Sequence, residues 1–434
     1  MQSIIKNSIF IASLLLLSLQ AEAKIIAWTP QIPSALSEFQ QNPQTLAHIT
    51  GNNIMIYAHP AQQIQLPTFN TTKKITGKYY SAAVVLPASS SQVSRLLLNY
   101  SNYAGLFPTL KNAKVTEKKG NISQVKYSVH VPTPIPVLNF RETVLMQHQI
   151  DNNSISTLIL DAPIPYGAGK FEWFELSANQ TLVTITQWGD LNQPKGFLFS
   201  KILNAIPDAK LGIPAGTNAF LLEALQRRFK PATAQMLNSD VIPQPSLDPI
   251  AQQKIAQLSQ LSQEPVSFVL PTSNMPYAHG LEKMRFSTSY QYYVQTPTQL
   301  QKWLNPPSFQ RIFPNQIKSV QIRSLNAKQI DAQFNVSVGL GVINIPFDFK
   351  MRFNFISDWK NNFAANGGDL KYVRGSMELS PYKQGTLLKM TSAMKIDDQA
   401  PFLLRAMRSV PYHEMIPALG SNTVFSLKVK QKAG

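Results

Sequence analysis

The stretch SSQVSRLLLNYSNYAGLFPTLKNAKV (residues 90–115) returns, much altered, as PTQLQKWLNPPSFQRIFPNQIKSVQI (residues 297–322). Val93, Leu97, Tyr103, Phe107 and Pro108 match Leu300, Leu304, Phe309, Phe313 and Pro314, with single-residue shifts in the loops. Each stretch reads as a helix that follows a strand. Ser89 or Ser90 can cap the first helix, which then sets Val93, Leu96 and Leu97 on one face at i, i+3, i+4. Thr296 caps the second, Pro297 takes the first helical position, and Leu300, Trp303 and Leu304 repeat the face. Two unlike sequences meet one structural demand, which makes the chain a tandem duplication with a period of about two hundred residues.

The match continues in order. Asn139-Phe140-Arg141 aligns with Asp348-Phe349-Lys350 in an alternating strand, which gives Arg141 and Lys350 the same place in the two copies. Glu175-Leu176-Ser177 aligns with Glu378-Leu379-Ser380, each ahead of a turn and a strand opening Thr181-Leu182 or Thr386-Leu387. Between its first and last helix, the first copy holds β-like runs at 113–116, 123–131, 138–148, 155–160, 170–176 and 182–188. Asn152-Asn153 and Ala178-Asn179 mark turns between antiparallel strands. Gly167-Ala168-Gly169 reads as a further turn, and the proline-alternating residues 131–136 as a loop that cannot ladder.

Apolar helical sequence closes each copy. In the first it spans 196–206 and 217–229, with Pro207 and Pro214 expected to break the path; in the second it spans 401–410 and resumes after Pro411 and Pro417. A polar helix and a short strand precede each core, at 40–49 and 53–58, then at 249–261 and 266–270. The organisation read from this is a leader at 1–23, a helix-strand extension at 24–75 and a first domain at 76–230. A linker plus second extension at 231–283 and a second domain at 284–434 follow, the Pro- and Gln-rich 231–248 being the natural break.

Lys6, the apolar run 9–19 and Ala21-Glu22-Ala23 have the layout of a secretory signal peptide, so export to the periplasm or medium is expected, with Lys24 as the mature N-terminus. There is no cysteine, which excludes disulfides, thiolate metal sites and cysteine nucleophiles. The formal charge is +17. Residues 24–230 carry 18 Lys and Arg against 10 Asp and Glu, and 231–434 carry 21 against 12, so the excess is spread rather than gathered in a tail. For an exported chain this favours an anionic membrane surface or acidic glycans over nucleic acid as partner.

The order strand, two short helices, a run of antiparallel strands and a long C-terminal helix resembles the START-like (helix-grip) superfamily. The likeness is to its coenzyme Q-binding and polyketide cyclase-like branch. It is carried by Asn99-Tyr100-Ser101-Asn102-Tyr103, then Phe107-Pro108 and a strand near Ala113, with Asn99 standing where that branch carries an acidic residue. The second copy departs further, with Pro306-Pro307-Ser308-Phe309 and Phe313-Pro314. The resemblance implies an α+β fold of two tandem helix-grip domains, each a curved antiparallel sheet wrapped on a long C-terminal helix. It also implies an apolar cavity between sheet and helix, suited to a lipid, quinone or similar ligand.

Alternation sets Phe171 and Trp173 on one strand face and Phe174 on the other, and groups Thr184, Thr186 and Trp188 on the next strand. Candidate ligand contacts are Tyr103, Phe107, Phe140, Trp173, Trp188, Phe199 and Ile202 in the first copy and Phe309, Phe313 and Phe349 in the second. Each of these competes with service as ordinary core, the commonest fate of strand aromatics. Arg141 and Lys350 are candidates to meet an anionic head group, against a plain solvated face.

Catalytic signals are sparse. The histidines His48, His59, His130, His148, His279 and His413 show no metal-ligand spacing, and there is no nucleophile elbow, phosphate loop or dinucleotide fingerprint. No cofactor, metal or catalytic residue is assigned. The expectation is a non-catalytic carrier or sensor of a hydrophobic small molecule or lipid. The alternatives are a cyclase/aromatase-like enzyme, marked by a polar cluster in the cavity, and a scaffold whose cavities are filled. For the scaffold, a pocket under roughly 300 Å³ would be the sign.

Overall fold

The computed structural model describes residues 25–69, 74–131, 140–195, 200, 203–204, 207–230, 233–238, 241–277, 280–340 and 343–434. The leader, the proline loop and most of 196–206 lie outside the described residues. The first copy opens with α1 (Pro43–Thr50) and β1 (Ile54–Ala58), then the paired strands β2 (Gln62–Ile64) and β3 (Ile75–Gly77). Its core runs β4 (Tyr80–Leu86), α2 (Ser90–Leu98), α3 (Tyr103–Leu106), β5 (Leu110–Lys119), β6 (Ile122–Val131), β7 (Phe140–Asp151), β8 (Ser154–Asp161), β9 (Gly167–Ser177), β10 (Gln180–Gly189) and α4 (Ala209–Phe229). After the two-residue β11 (Gln235–Met236), the second copy repeats the order. It runs α5 (Pro249–Ser262), β12 (Val266–Tyr277), β13 (Gly280–Tyr293), α6 (Pro297–Leu300), α7 (Pro307–Ile312), then β14 (Ile317–Asn326), β15 (Gln329–Leu340), β16 (Ile343–Ser357), β17 (Lys360–Gly368), β18 (Tyr372–Tyr382) and β19 (Gly385–Lys395). The short α8 (Phe402–Ala406) and the long α9 (Ile416–Ala433) close it. Each copy is an α+β helix-grip domain.

The duplication holds to single hydrogen bonds. Ser89 and Gln92 form a capping box at α2, and Thr296 and Gln299 form the same box at α6. The Thr181 hydroxyl donates to Ala88 O at 2.8 Å, and Thr386 donates to Gln295 O at 2.7 Å. Ser81 meets Thr186 at 2.6 Å as Thr288 meets Thr391 at 2.9 Å. Inside each closing helix a buried asparagine ties the helix to the first strand of its core: Asn218 Nδ2 donates to Tyr80 O at 3.1 Å, Asn422 Nδ2 to Ser287 O at 2.8 Å. The sequence around them, Ile213-Pro214-Ala215-Gly216-Thr217-Asn218 against Ile416-Pro417-Ala418-Leu419-Gly420-Ser421-Asn422, is the repeat signal that the alignment by strands passed over.

Among the described residues, the pairings join both copies into one 17-stranded sheet. From one edge it runs β5 to β10 in order, then β4, β1, β12, β13 and β19, then back from β18 to β14, with β11 alongside β12. The seam is the antiparallel pair β1–β12, where Ile56 faces Ser267. Ile56 pairs with Ala82 and Ser267 with Ser289, which are equivalent positions of β4 and β13, so the two seam residues are themselves equivalent. A pseudo-twofold axis passes between them.

Apolar burial follows this plan. On the inner face, Ala215, Ala219, Leu222 and Leu225 of α4 pack on Val84, Val125, Tyr127 and Val183. Phe425 and Val429 of α9 pack in the second copy's core. Met415, the N-cap of α9, and Leu419 within it also join the first copy's cluster. Behind the seam, Leu46 and Ile49 of α1 and Ile255 and Leu258 of α5 cover Met55, Tyr57, Phe268 and Phe286. Pro214 does not break α4. A proline removes one i→i−4 bond, and here the buried face from Ala215 onward holds the helix through that loss.

Candidate functional site

A cavity of about 600 Å³ lies in the first copy between the sheet's inner face and α4, within the range of small-molecule sites. Its wall is mostly apolar: Phe107, Val144, Met146 and Ile159 on one side, Phe171 and Ile185 on the next strands, Ile213, Pro214 and Leu221 on the helix. Glycines in β9 help make the room. Gly167, Ala168 and Gly169 are not a turn; they are paired strand residues opposite Gly189, Trp188 and Gln187. A side chain at Gly167 would put its Cβ 2.5 Å from Ile159 Cδ1 and 3.2 Å from Trp188 O, so Ile159 would have to shift to admit one.

One polar chain runs along the wall. Tyr127 Oη lies 2.7 Å from His148 Nε2, and His148 Nδ1 lies 2.8 Å from Thr157 Oγ1. The imidazole stacks on Tyr100 with ring centroids 4.5 Å apart, and Tyr127 stacks on Tyr103, whose hydroxyl donates to Leu97 O at 2.6 Å. Burial pushes the His148 pKa down to about 3, so the ring is neutral at ordinary pH. Burial raises the Tyr103 and Tyr127 phenols well above their usual range. A second polar group is the ion pair of Lys78 Nζ and Glu264 Oε1 at 2.6 Å, with Tyr80, Gln187 and Thr217 also bordering the cavity. Gln187 Nε2 donates to Thr217 Oγ1 at 3.0 Å. Among the described residues, no group of three or more His, Cys, Asp or Glu is placed to hold a metal ion.

The sequence-derived candidates fall into five groups. Tyr103, Phe107 and Trp188 border the cavity. Trp188 does so from the far face, its side chain packing with Ile64 and Tyr79 against Gly77. Trp173 shares the inner face with Phe171, opposite Val183, and is buried in the core beside the cavity. Phe199 and Ile202 lie outside the described residues, as does the side chain of Phe140 at the start of β7. Arg141 and Lys350 are exposed and, contrary to the alignment, not equivalent. Tyr127 pairs with Val144 and its counterpart Phe334 with Phe349, which moves the correspondence by four residues and sets Arg141 against Pro346. The apolar alternation of these strands had hidden the slip.

The same pairing explains why the copies differ. Where the first has Tyr127, Val144 and Leu221, the second has Phe334, Phe349 and Phe425. Phe309 stacks on Phe334 and meets Phe425 at 5.3 Å, Phe334 stacks on Phe349 at 4.9 Å, and Phe313 lies 6.3 Å from Phe425. The sequence candidates Phe309, Phe313 and Phe349 thus sit in an aromatic cluster packed against the second copy's core. His148 and Tyr127 were legible as inner-face residues through alternation with Met146 and Val129. Glu264 was not legible, since it reaches the first copy's cavity from the second.

No protein-family model matches the chain, and no curated protein matches it. Among solved structures, the di-domain aromatase/cyclase StfQ of the steffimycin biosynthetic pathway aligns at 10% identity over 81% of this chain and 97% of its own, TM-score 0.26. BexL, the di-domain aromatase/cyclase of the BE-7585A pathway, aligns at 9% identity over 80% of this chain and 98% of its own, TM-score 0.27. A START superfamily protein from Mycobacterium smegmatis aligns at 18% identity over 36% of this chain and all of its own, TM-score 0.29. At these TM-scores the likenesses carry no argument about function; the helix-grip fold rests on the element order and strand pairing of the chain itself.

Proposed function

We propose that this is an exported, non-catalytic protein that holds a hydrophobic small molecule or lipid in the first copy's cavity. The observation that carries the reading is the mostly apolar space of about 600 Å³ under α4, twice the roughly 300 Å³ below which a drug-sized ligand finds no room. The neutral His148, satisfied by Tyr127 and Thr157, supports binding rather than proton transfer, since a general base works best with a pKa near the operating pH. The second copy, with its packed phenylalanines, serves as a buttress. Export is supported by the residues before Lys24 and would deliver a chain beginning there. Among the described residues no helix is long and apolar enough to cross a membrane. A weaker second reading, a cyclase-like enzyme, draws on the Tyr127–His148–Thr157 chain facing the cavity.

Native mass spectrometry of the protein from its exporting host tests the reading. A bound lipid or quinone at one per chain is expected, on a polypeptide whose mass begins at Lys24. A chain that stays empty through a panel of lipids would refute the carrier reading.

A further inference from the structure

Resting on that reading, the charges bordering the cavity define the head of the ligand. Among the described residues, Lys78, Lys170 and Glu264 are the charged ones there. Lys170 pairs with Glu172 at 3.0 Å, on the strand face opposite Phe171, so its ammonium is turned away. Lys78 and Glu264 remain, with side chains 27% and 13% exposed. Behind them Lys430 of α9 donates to Gln263 O at 2.9 Å and to Gln263 Oε1 at 2.6 Å. Burial brings the Lys430 pKa down to about 8, with Glu264 drawing it up and Lys78 pushing it down. Lys430 thus sits beside the residue that precedes Glu264, which puts two ammonium groups near one carboxylate that, of the two, only Lys78 contacts, in a partly desolvated place where an unmatched charge is costly.

The equivalent place in the second copy is balanced. Arg285 stands two residues before Ser287 as Lys78 stands two before Tyr80. Arg285 pairs with Glu223 at 2.7 Å, Glu223 also takes Arg227 at 2.7 Å, and Arg227 reaches Glu414. Two guanidinium groups meet two carboxylates there. We propose that in the first copy the ligand supplies the missing anion: the cavity takes an amphiphile with one acidic head, a carboxylate or a phosphate monoester, seated on Lys78 with its chain along the apolar wall.

Titration of the full chain with palmitate, hexadecyl phosphate and uncharged 1-hexadecanol tests this. The better acidic probe is expected to bind at least about tenfold tighter than hexadecanol, the worth of one charge-assisted hydrogen bond, and which of the two wins identifies the head. Lys78→Met should abolish that preference, with far-ultraviolet circular dichroism showing that the variant folds. Lys78→Arg should keep it. Glu264→Gln, which frees Lys78, should tighten the acidic probe by about threefold or more. Equal binding of charged and uncharged probes, or an equal loss of all three in Lys78→Met, overturns the acidic-head assignment and leaves the carrier reading standing. Failure of every probe to bind overturns the carrier reading itself.

Discussion

The Glu223 carboxylate of α4 and the Arg285 guanidinium of β13 meet at 2.7 Å across the two copies, their side chains 1% and 4% exposed. Arg285 Nη1 also donates to Thr272 Oγ1 at 3.1 Å. Burial pulls the Arg285 pKa down and Glu223 draws it back up. Truncating Glu223 to alanine strands that guanidinium in the interior and should cost about 3–5 kcal/mol in urea unfolding. Replacing both partners by methionine should recover most of the loss, because nothing charged is then left unpaired. A single-variant loss under about 1 kcal/mol would show that the pair is solvated.

The seam makes the copies one folding unit. Residues from both form the cluster behind β1 and β12, and α9 with its N-cap lends Leu419 and Met415 to the first copy's core. Urea unfolding followed by tryptophan emission and by far-ultraviolet circular dichroism should give coincident single transitions. Two separated transitions would mean that the halves unfold independently.

Stability should depend on His148 below neutral pH. Folded, its pKa is about 3, against 6.5 for the free side chain, because burial disfavours the imidazolium. Between those values the unfolded chain binds a proton that the folded chain does not. Its contribution is therefore complete above about pH 6.5 and falls as pH drops toward 3, by at most about 1.4 kcal/mol per unit. His148→Phe, which keeps the stack on Tyr100, should flatten the melting temperature over that window. An unchanged slope would place the titration elsewhere.

The second copy supplies a recipe for closing the cavity. Val144→Phe with Leu221→Phe installs the residues found at the equivalent positions Phe349 and Phe425. Binding of any hydrophobic ligand should weaken by about tenfold or more, the loss of at least 1.4 kcal/mol, while stability holds or rises by about 0.5–2 kcal/mol as the space fills. Intact binding in this variant would move the site out of the cavity.

Much of this was legible in the chain because the forces concerned are local. The capping boxes at Ser89 and Thr296, the turn at Asn152-Asn153 and the alternation of Phe171 and Trp173 each follow from a few neighbouring residues. What misled were places where distant packing decides. Pro214 continues a helix because a buried face lies beyond it, and Gly167 to Gly169 read as a turn because the strand residues they pair with, Gly189, Trp188 and Gln187, are remote in sequence. Arg141 and Lys350 were misaligned because apolar alternation fixes which face a residue takes but not how far along the strand it sits. Glu264 reaches the cavity across a fold-level interface, and no local pattern encodes that.

The seam at Ile56 and Ser267 has a register that is its own mirror in sequence: each copy offers the other the same strand, in the same alignment. Nothing in that pairing requires a shared chain. A half-length protein bearing it would meet its twin in the same way, as an isologous dimer does. Covalent joining then changes inheritance rather than geometry. Subunits of a dimer made from one gene must stay identical, whereas two fused halves are free to specialise, one keeping an interior for a guest and the other filling its own with phenylalanine.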